Sequence, residues 1–160
     1  MTIADRDKVR EIQACFSAVI GEKFIRYETA ELLLSDDTWN PWQDLPIRLH
    51  THTGKLISIA WSQFDDLWIA NDSSLPFSVD VSTTRWVSNS VEKINAALGA
   101  TIKSVMLGQD EMSIEGSDIR IWTRLLIQVD EHWLEIFNAL DENGYDFHTE
   151  RPIGTFITCV

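Results

Sequence analysis

Two histidines one residue apart, His50 and His52, form the pair in this chain whose spacing comes closest to a metal site. On an extended strand they leave the same face about 7 Å apart. Asp65 or Asp66, arriving from the next hairpin, would complete a two-histidine, one-carboxylate set. No spacing fixes that third ligand, however. Leu49 and Thr51 mark the inward face, so both imidazoles are expected in solvent near a turn. The expectation is therefore no bound metal and no cofactor.

Other chemistry is equally sparse. There is no P-loop, no GxGxxG, no GxSxG, no HExxH and no CxxC. The run Asp141-Glu142-Asn143-Gly144 lacks the oxygen-ligand spacing of a calcium loop and reads as a turn. Twenty-five acids allow many carboxylate pairs, and so the sequence nominates none for general acid–base work. Cys15 follows the apolar side of a helix beside Phe16, where a thiol is buried and inert. Cys159 has no histidine tied to it. Two cysteines without framework spacing fit free thiols in a reducing compartment. No catalytic residue is expected.

The aromatic residues carry more information. Seven tryptophans stand in 160 residues. Trp61, Trp122 and Trp133 fall in strand-like stretches and are expected in the core. Trp39 and Trp42 flank Asn40-Pro41, after Asp36-Asp37 and before Asp44. Indoles in a loop ringed by carboxylates suit a basic partner, through burial and cation–π contact. The competing reading is a Trp-Pro-Trp clasp that closes the loop onto the core. Asp65, Asp66 and Trp68 repeat the same combination at the next hairpin.

Net charge is −12, from 25 acids against 13 bases. Residues 1–30 are balanced; residues 31–82 carry eight acids against two bases, and residues 83–160 twelve against six. The excess therefore belongs to the strand-rich stretches and not to a tail. Such a surface disfavours phosphate backbones and anionic membranes, and steers a basic protein toward it. The N-terminal residues lack an apolar signal segment, and no apolar run approaches the roughly 20 residues of a membrane span. A cytoplasmic location is expected.

The elements follow from periodicity. Val9, Ile12, Phe16, Val19 and Ile20 fall at helical spacing, predicting a helix over 5–20 that stops at Gly21. A second, shorter helix is predicted over 90–98, with Ser90 as its cap and Gly99 as its stop. Alternating residues predict hairpins around Thr53-Gly54, Asp65-Asp66, Asp130-Glu131 and Asp141–Gly144. The resulting fold class is α+β: mainly antiparallel sheet built from hairpins, with two helices packed on it. A single domain over 1–160 is expected, because no Pro-, Gly- or Ser-rich linker divides the chain. Within it, Gly21 and Gly99, Ile47 and Leu125, and Leu49 and Ile127 are each 78 positions apart. That register raises an internal duplication of a helix–hairpin unit, about 5–82 and 83–160. Any two amphipathic hairpins could also align in this way.

These features favour a protein-binding module with Asp36, Asp37, Trp39, Trp42, Asp65, Asp66 and Trp68 as its contact set. Immunity proteins of bacterial toxin systems share this profile of size, acidity and missing catalytic motifs, which makes a basic toxin domain or enzyme the expected partner. One alternative is a small-ligand binder or enzyme with a pocket between the two halves, lined by His50, His52, Asp65 and Asp66. Another is a homodimer paired through strand edges.

Overall fold

The computed structural model describes all 160 residues. It has the α+β composition expected: two antiparallel sheets, one α-helix and one 3-10 helix. The helix α1 runs Ile3–Phe16. Thr2 caps it by a reciprocal box, its hydroxyl accepting from the Asp5 N–H while the Asp5 carboxylate accepts from the Thr2 N–H. The helical periodicity continues to Ile20, but the last turns are irregular and end on Gly21 at φ +86°.

The first sheet contains β1 (Phe24–Leu33), β2 (Trp39–Pro41), β3 (Ile47–Thr51), β4 (Leu56–Trp61), β5 (Leu67–Ala70) and β6 (Thr84–Ser88). β3, β4 and β5 follow β1 as a meander. Glu28 faces Arg48 on β3 and Ser88 on β6, so those two strands flank opposite edges of β1. Glu31 and Leu32 likewise face both β2 and β6. β2 and β3 therefore lie end to end along one edge of β1. Trp39, expected in a loop, belongs to β2.

The second sheet contains β7 (Ile102–Ile114), β8 (Ser117–Val129), β9 (His132–Asn138), β10 (Asn143–His148) and β11 (Phe156–Thr158), in the order β10-β9-β8-β7-β11. Before it stands the 3-10 helix Glu92–Ala97, where a capped α-helix was expected. The Ser90 hydroxyl is held by Thr29 at 2.8 Å, and the Val91 N–H donates to the Tyr27 hydroxyl at 2.8 Å. Both contacts tie this segment to β1 ahead of the 3-10 turn.

In each sheet the chain leaves the last meander strand, crosses the outer face and returns beside the first. Residues 71–83 do this over the first sheet, pinned by Ser58 Oγ donating to the Asp72 carbonyl (2.5 Å) and Arg48 Nη2 to the Ser73 carbonyl (2.8 Å). Residues 149–155 do it over the second, with Gln109 N–H donating to the Thr155 carbonyl at 2.9 Å. Ser58, Leu126 and Glu135 are therefore buried although they point away from the core.

The inner faces of both sheets, α1 and the 3-10 helix share one core of 23 buried residues, with Trp61, Tyr27, Phe16 and Phe24 among its largest. Pairs of backbone bonds recur at the junction. Gly21 N–H donates to Ile102 and Gly99 N–H to Phe24; Phe24 N–H donates to Ala100 and Ile102 N–H to Glu22. Lys23 and Thr101 bridge each other. Cys15 and Cys159 are buried free thiols, and no helix is long and apolar enough to cross a membrane.

Candidate functional site

In an antiparallel meander successive connections emerge at alternate ends, and this rule sorts the charged turns. The connections β1–β2 (34–38) and β4–β5 (62–66) leave at one end of the first sheet, and β7–β8 (115–116) and β9–β10 (139–142) at one end of the second. Hydrogen bonds from Asn138 and to Asp141 bring the β4–β5 and β9–β10 turns together. They carry Asp36, Asp37, Asp65, Asp66, Glu115, Asp141 and Glu142, and no lysine or arginine. The β3–β4 and β8–β9 turns leave at the other end, where Lys23, Lys55 and Lys103 sit among Glu22, Asp130 and Glu131. Eight of the 13 Lys and Arg side chains pair with eight different carboxylates, which leaves 17 of the 25 acids without a Lys or Arg partner.

The carboxylate-rich end is tightly built. Asn138 Nδ2 donates to the Ser62 carbonyl at 2.7 Å and also to the Phe64 carbonyl. Asn138 Oδ1 accepts the Asp141 N–H at 2.7 Å, and Asp141 Oδ1 accepts the Phe64 N–H at 3.0 Å. Beneath them Asn143, fully buried, accepts the Trp61 N–H at 2.8 Å and donates to the Ile59 carbonyl at 2.9 Å. Lys8 reaches the same corner from α1. Its ammonium meets Asp65 at 3.3 Å and the Trp122 carbonyl at 2.9 Å, over the Trp61 ring. The β4–β5 and β9–β10 turns are thus joined side to side by polar bonds whose partners are all present.

Between these turns lies a cleft of about 260 Å³ lined by Phe64, Met112, Ile121 and Leu140 and by Asp110, Glu111 and Asp141. Its polar groups are these three carboxylates, the Thr123 hydroxyl and the Asn138 amide.

The sequence-selected residues divide into two sets at this end. Asp36 is held in its turn by Thr38, whose hydroxyl and N–H both donate to it and lower its pKa. Asp37 stands beside it at φ +63°. Trp39 is half-buried under the Arg85 guanidinium, 4.4 Å from its ring centre. Trp42 is half-buried too, stacked on Phe77 at 5.9 Å and donating to Asp44 at 3.2 Å. These indoles are occupied within the molecule. Asp65 and Asp66 cap the β4–β5 turn, and Trp68 packs half-buried on the outer face of β5. β1, β3 and β4 separate β5 from the β1–β2 turn, so sets expected to act together lie at opposite edges of one sheet.

The proposed His50–His52–Asp65–Asp66 grouping is not formed, because the histidines and aspartates occupy opposite ends of β3 and β4. His50 faces Glu28 at 3.4 Å, and burial, with Arg26 nearby, lowers its pKa. His52 Nδ1 accepts the Lys23 N–H at 3.0 Å. No group of three or more His, Cys, Asp and Glu side chains is placed to hold a metal ion. A cavity of about 300 Å³ lies between the two sheets, lined by Ala30, Pro41, Trp42, Val91 and Tyr145 with Glu31 among its polar groups, and by none of His50, His52, Asp65 and Asp66. No family model, curated protein or solved structure matches this chain.

Sequence reasoning missed Phe64, Leu140 and Asn138. Phe64 and Leu140 stand beside acidic turn residues, which is a readable sign of a turn, but not of which side chain the turn displays.

Proposed function

We propose that this chain is an acidic protein-binding module of the cytoplasm that docks a basic protein on its carboxylate-rich end. An immunity or inhibitor protein neutralising a basic toxin domain or enzyme works in this way. The observation that carries the reading is the set of four connections, two from each sheet, with seven carboxylates and no lysine or arginine. Sequence alone places the excess charge in the strand-rich stretches; the meander turns bring seven of the 25 acids together. Solubility needs only a scattered excess. Charge collected at one end raises association rates with an oppositely charged surface and suppresses like-charged ones.

The reading also takes the chain as two copies of one unit: helix, four-strand meander, crossing segment and returning strand. Support comes from equivalent bonds in the two copies: Gly21 N–H to the Ile102 carbonyl matches Gly99 N–H to the Phe24 carbonyl. The cross-strand pairs Tyr27–Leu49 and Val105–Ile127 agree with it, again 78 positions apart. On this view the docking end is where the two copies of the β4–β5 turn meet.

The test is affinity capture from the native lysate with wild type and with Asp66→Lys/Asp110→Lys. Both aspartates lack a cationic partner, so their reversal leaves the Lys8–Asp65 pair intact. Proteins held by wild type and released by the variant should be basic, and their association rates should fall as salt rises. Capture of the same partners by both proteins, or a rate insensitive to salt, would overturn the reading.

A further inference from the structure

We propose that the cleft between the Phe64 and Leu140 turns is the anchor pocket of the docking end. Its occupant is one aliphatic or aromatic side chain of a partner protein, carried between lysine or arginine residues. This rests on the reading of the molecule as a binder of basic proteins, and adds to it where and by what chemistry the partner is held.

Three observations carry it. First, Phe64 is 60% exposed and Leu140 94% exposed, the latter among the most exposed large apolar residues of the chain. Both sit at left-handed backbone angles, φ +55° and +57°. Glycine and asparagine adopt that region at little cost, whereas a bulky apolar residue does so against its preference. Leu140 recovers almost none of that cost by burial, and Phe64 only a part. Strain combined with apolar exposure at one spot points to a contact made by something else.

Second, the display is rigid. Asn138 and Asp141 bind the backbone of both turns, so Phe64 and Leu140 are held on either side of the cleft before a partner arrives. A partner would lose little freedom on the receiving side. The cleft, at about 260 Å³, lies just below the roughly 300–1,000 Å³ of small-molecule sites and suits a single large side chain.

Third, the rim names the occupant's neighbours. Asp110, Glu111 and Asp141 line the cleft, and only Glu111 has a cationic partner, in an exposed pair with Arg120. An apolar anchor beside two carboxylates without a cationic partner, Asp110 and Asp141, matches an apolar side chain flanked by cations. A second copy of this chain would bring the same carboxylates to the contact, and like charges oppose that pairing.

The experiment uses the full chain and three fluorescein-labelled peptides read by fluorescence anisotropy: Lys-Arg-Leu-Arg-Lys, Lys-Arg-Ser-Arg-Lys and Glu-Glu-Leu-Glu-Glu. The leucine peptide should bind about ten-fold tighter than the serine peptide, the step expected for one well-buried anchor. The Phe64→Ser/Leu140→Asn variant should lose that difference while keeping its weak binding of the serine peptide. Both substitutions lie at exposed positions, and a melting curve checks that the fold is kept. Equal binding of the two basic peptides overturns the cleft assignment and leaves the wider reading standing. Preference for the acidic peptide, or no binding of any peptide, overturns both. A dimer in sedimentation that the double variant dissolves assigns the cleft to self-association, and overturns the proposal.

Discussion

Leu140 offers a test in which stability and binding should move in opposite directions. Replacing it by asparagine removes an apolar side chain that is 94% exposed, so almost no burial is lost. Full burial of a leucine is worth roughly 1.5–3 kcal/mol, and the small buried remainder here amounts to about 0.1–0.2 kcal/mol. Against that stands the backbone at φ +57°. The left-handed region costs an ordinary residue roughly 1–2 kcal/mol, part of which asparagine recovers. The Leu140→Asn protein should be more stable than wild type by about 0.5–1 kcal/mol, raising Tm by roughly 1–4 °C for a chain of this size. Urea unfolding followed by tryptophan fluorescence measures the change, with unaltered m checking that the unfolding reaction is the same. If Leu140→Asn lowers the midpoint, the leucine has a structural role. The inference from its strained exposure then fails.

Three further outcomes are expected. Asn143→Leu leaves the Trp61 N–H and the Ile59 carbonyl without their side-chain partners in the core, and should cost about 2–4 kcal/mol in the same assay. Gly21→Ala and Gly99→Ala each place a Cβ in open space at φ +86°, so both should cost about 1 kcal/mol through backbone strain alone. Costs that differ widely would argue against two equivalent halves. Burial and Arg26 hold His50 below its ordinary 6.5. The unfolded chain therefore takes up that proton before the native one, and stability present above that pH falls as acid is added. His50→Gln should flatten this limb of the urea midpoint as the pH falls below about 6.5.

How far the fold was legible depended on whether a feature is local. Alternation located β3, β4, β8 and β9 because inward residues such as Ile47, Leu49, Ile57 and Ile59 each pack on the shared core. Gly21 and Gly99 do adopt positive φ, +86° each, but α1 already ends at Phe16 and Gly99 follows a 3-10 helix, so the glycines marked turns and not the helix ends. Where an α-helix was expected at Ser90, the segment is instead tied to β1 through Thr29, 61 positions away, and forms a 3-10 helix. A tertiary contact of that kind leaves no local trace. The candidate site behaved in the same way. Asp36, Asp37, Asp65 and Asp66 were recognisable as turn acids, but their gathering at one end depends on strand direction. Trp39 and Trp42 looked free because their flanking residues are polar, and they are engaged by Arg85 and Phe77 from distant segments. Phe64 and Leu140 became conspicuous only once φ was known.

The sorting of turns by meander direction has one more effect. A body with an excess of carboxylates at one end and a neutral mixture at the other carries a permanent electric moment. In the field of a cationic surface it experiences a torque as well as a pull. Rotation would bring the Phe64–Leu140 pole around before the surfaces touch, so that fewer encounters are wasted on the wrong face.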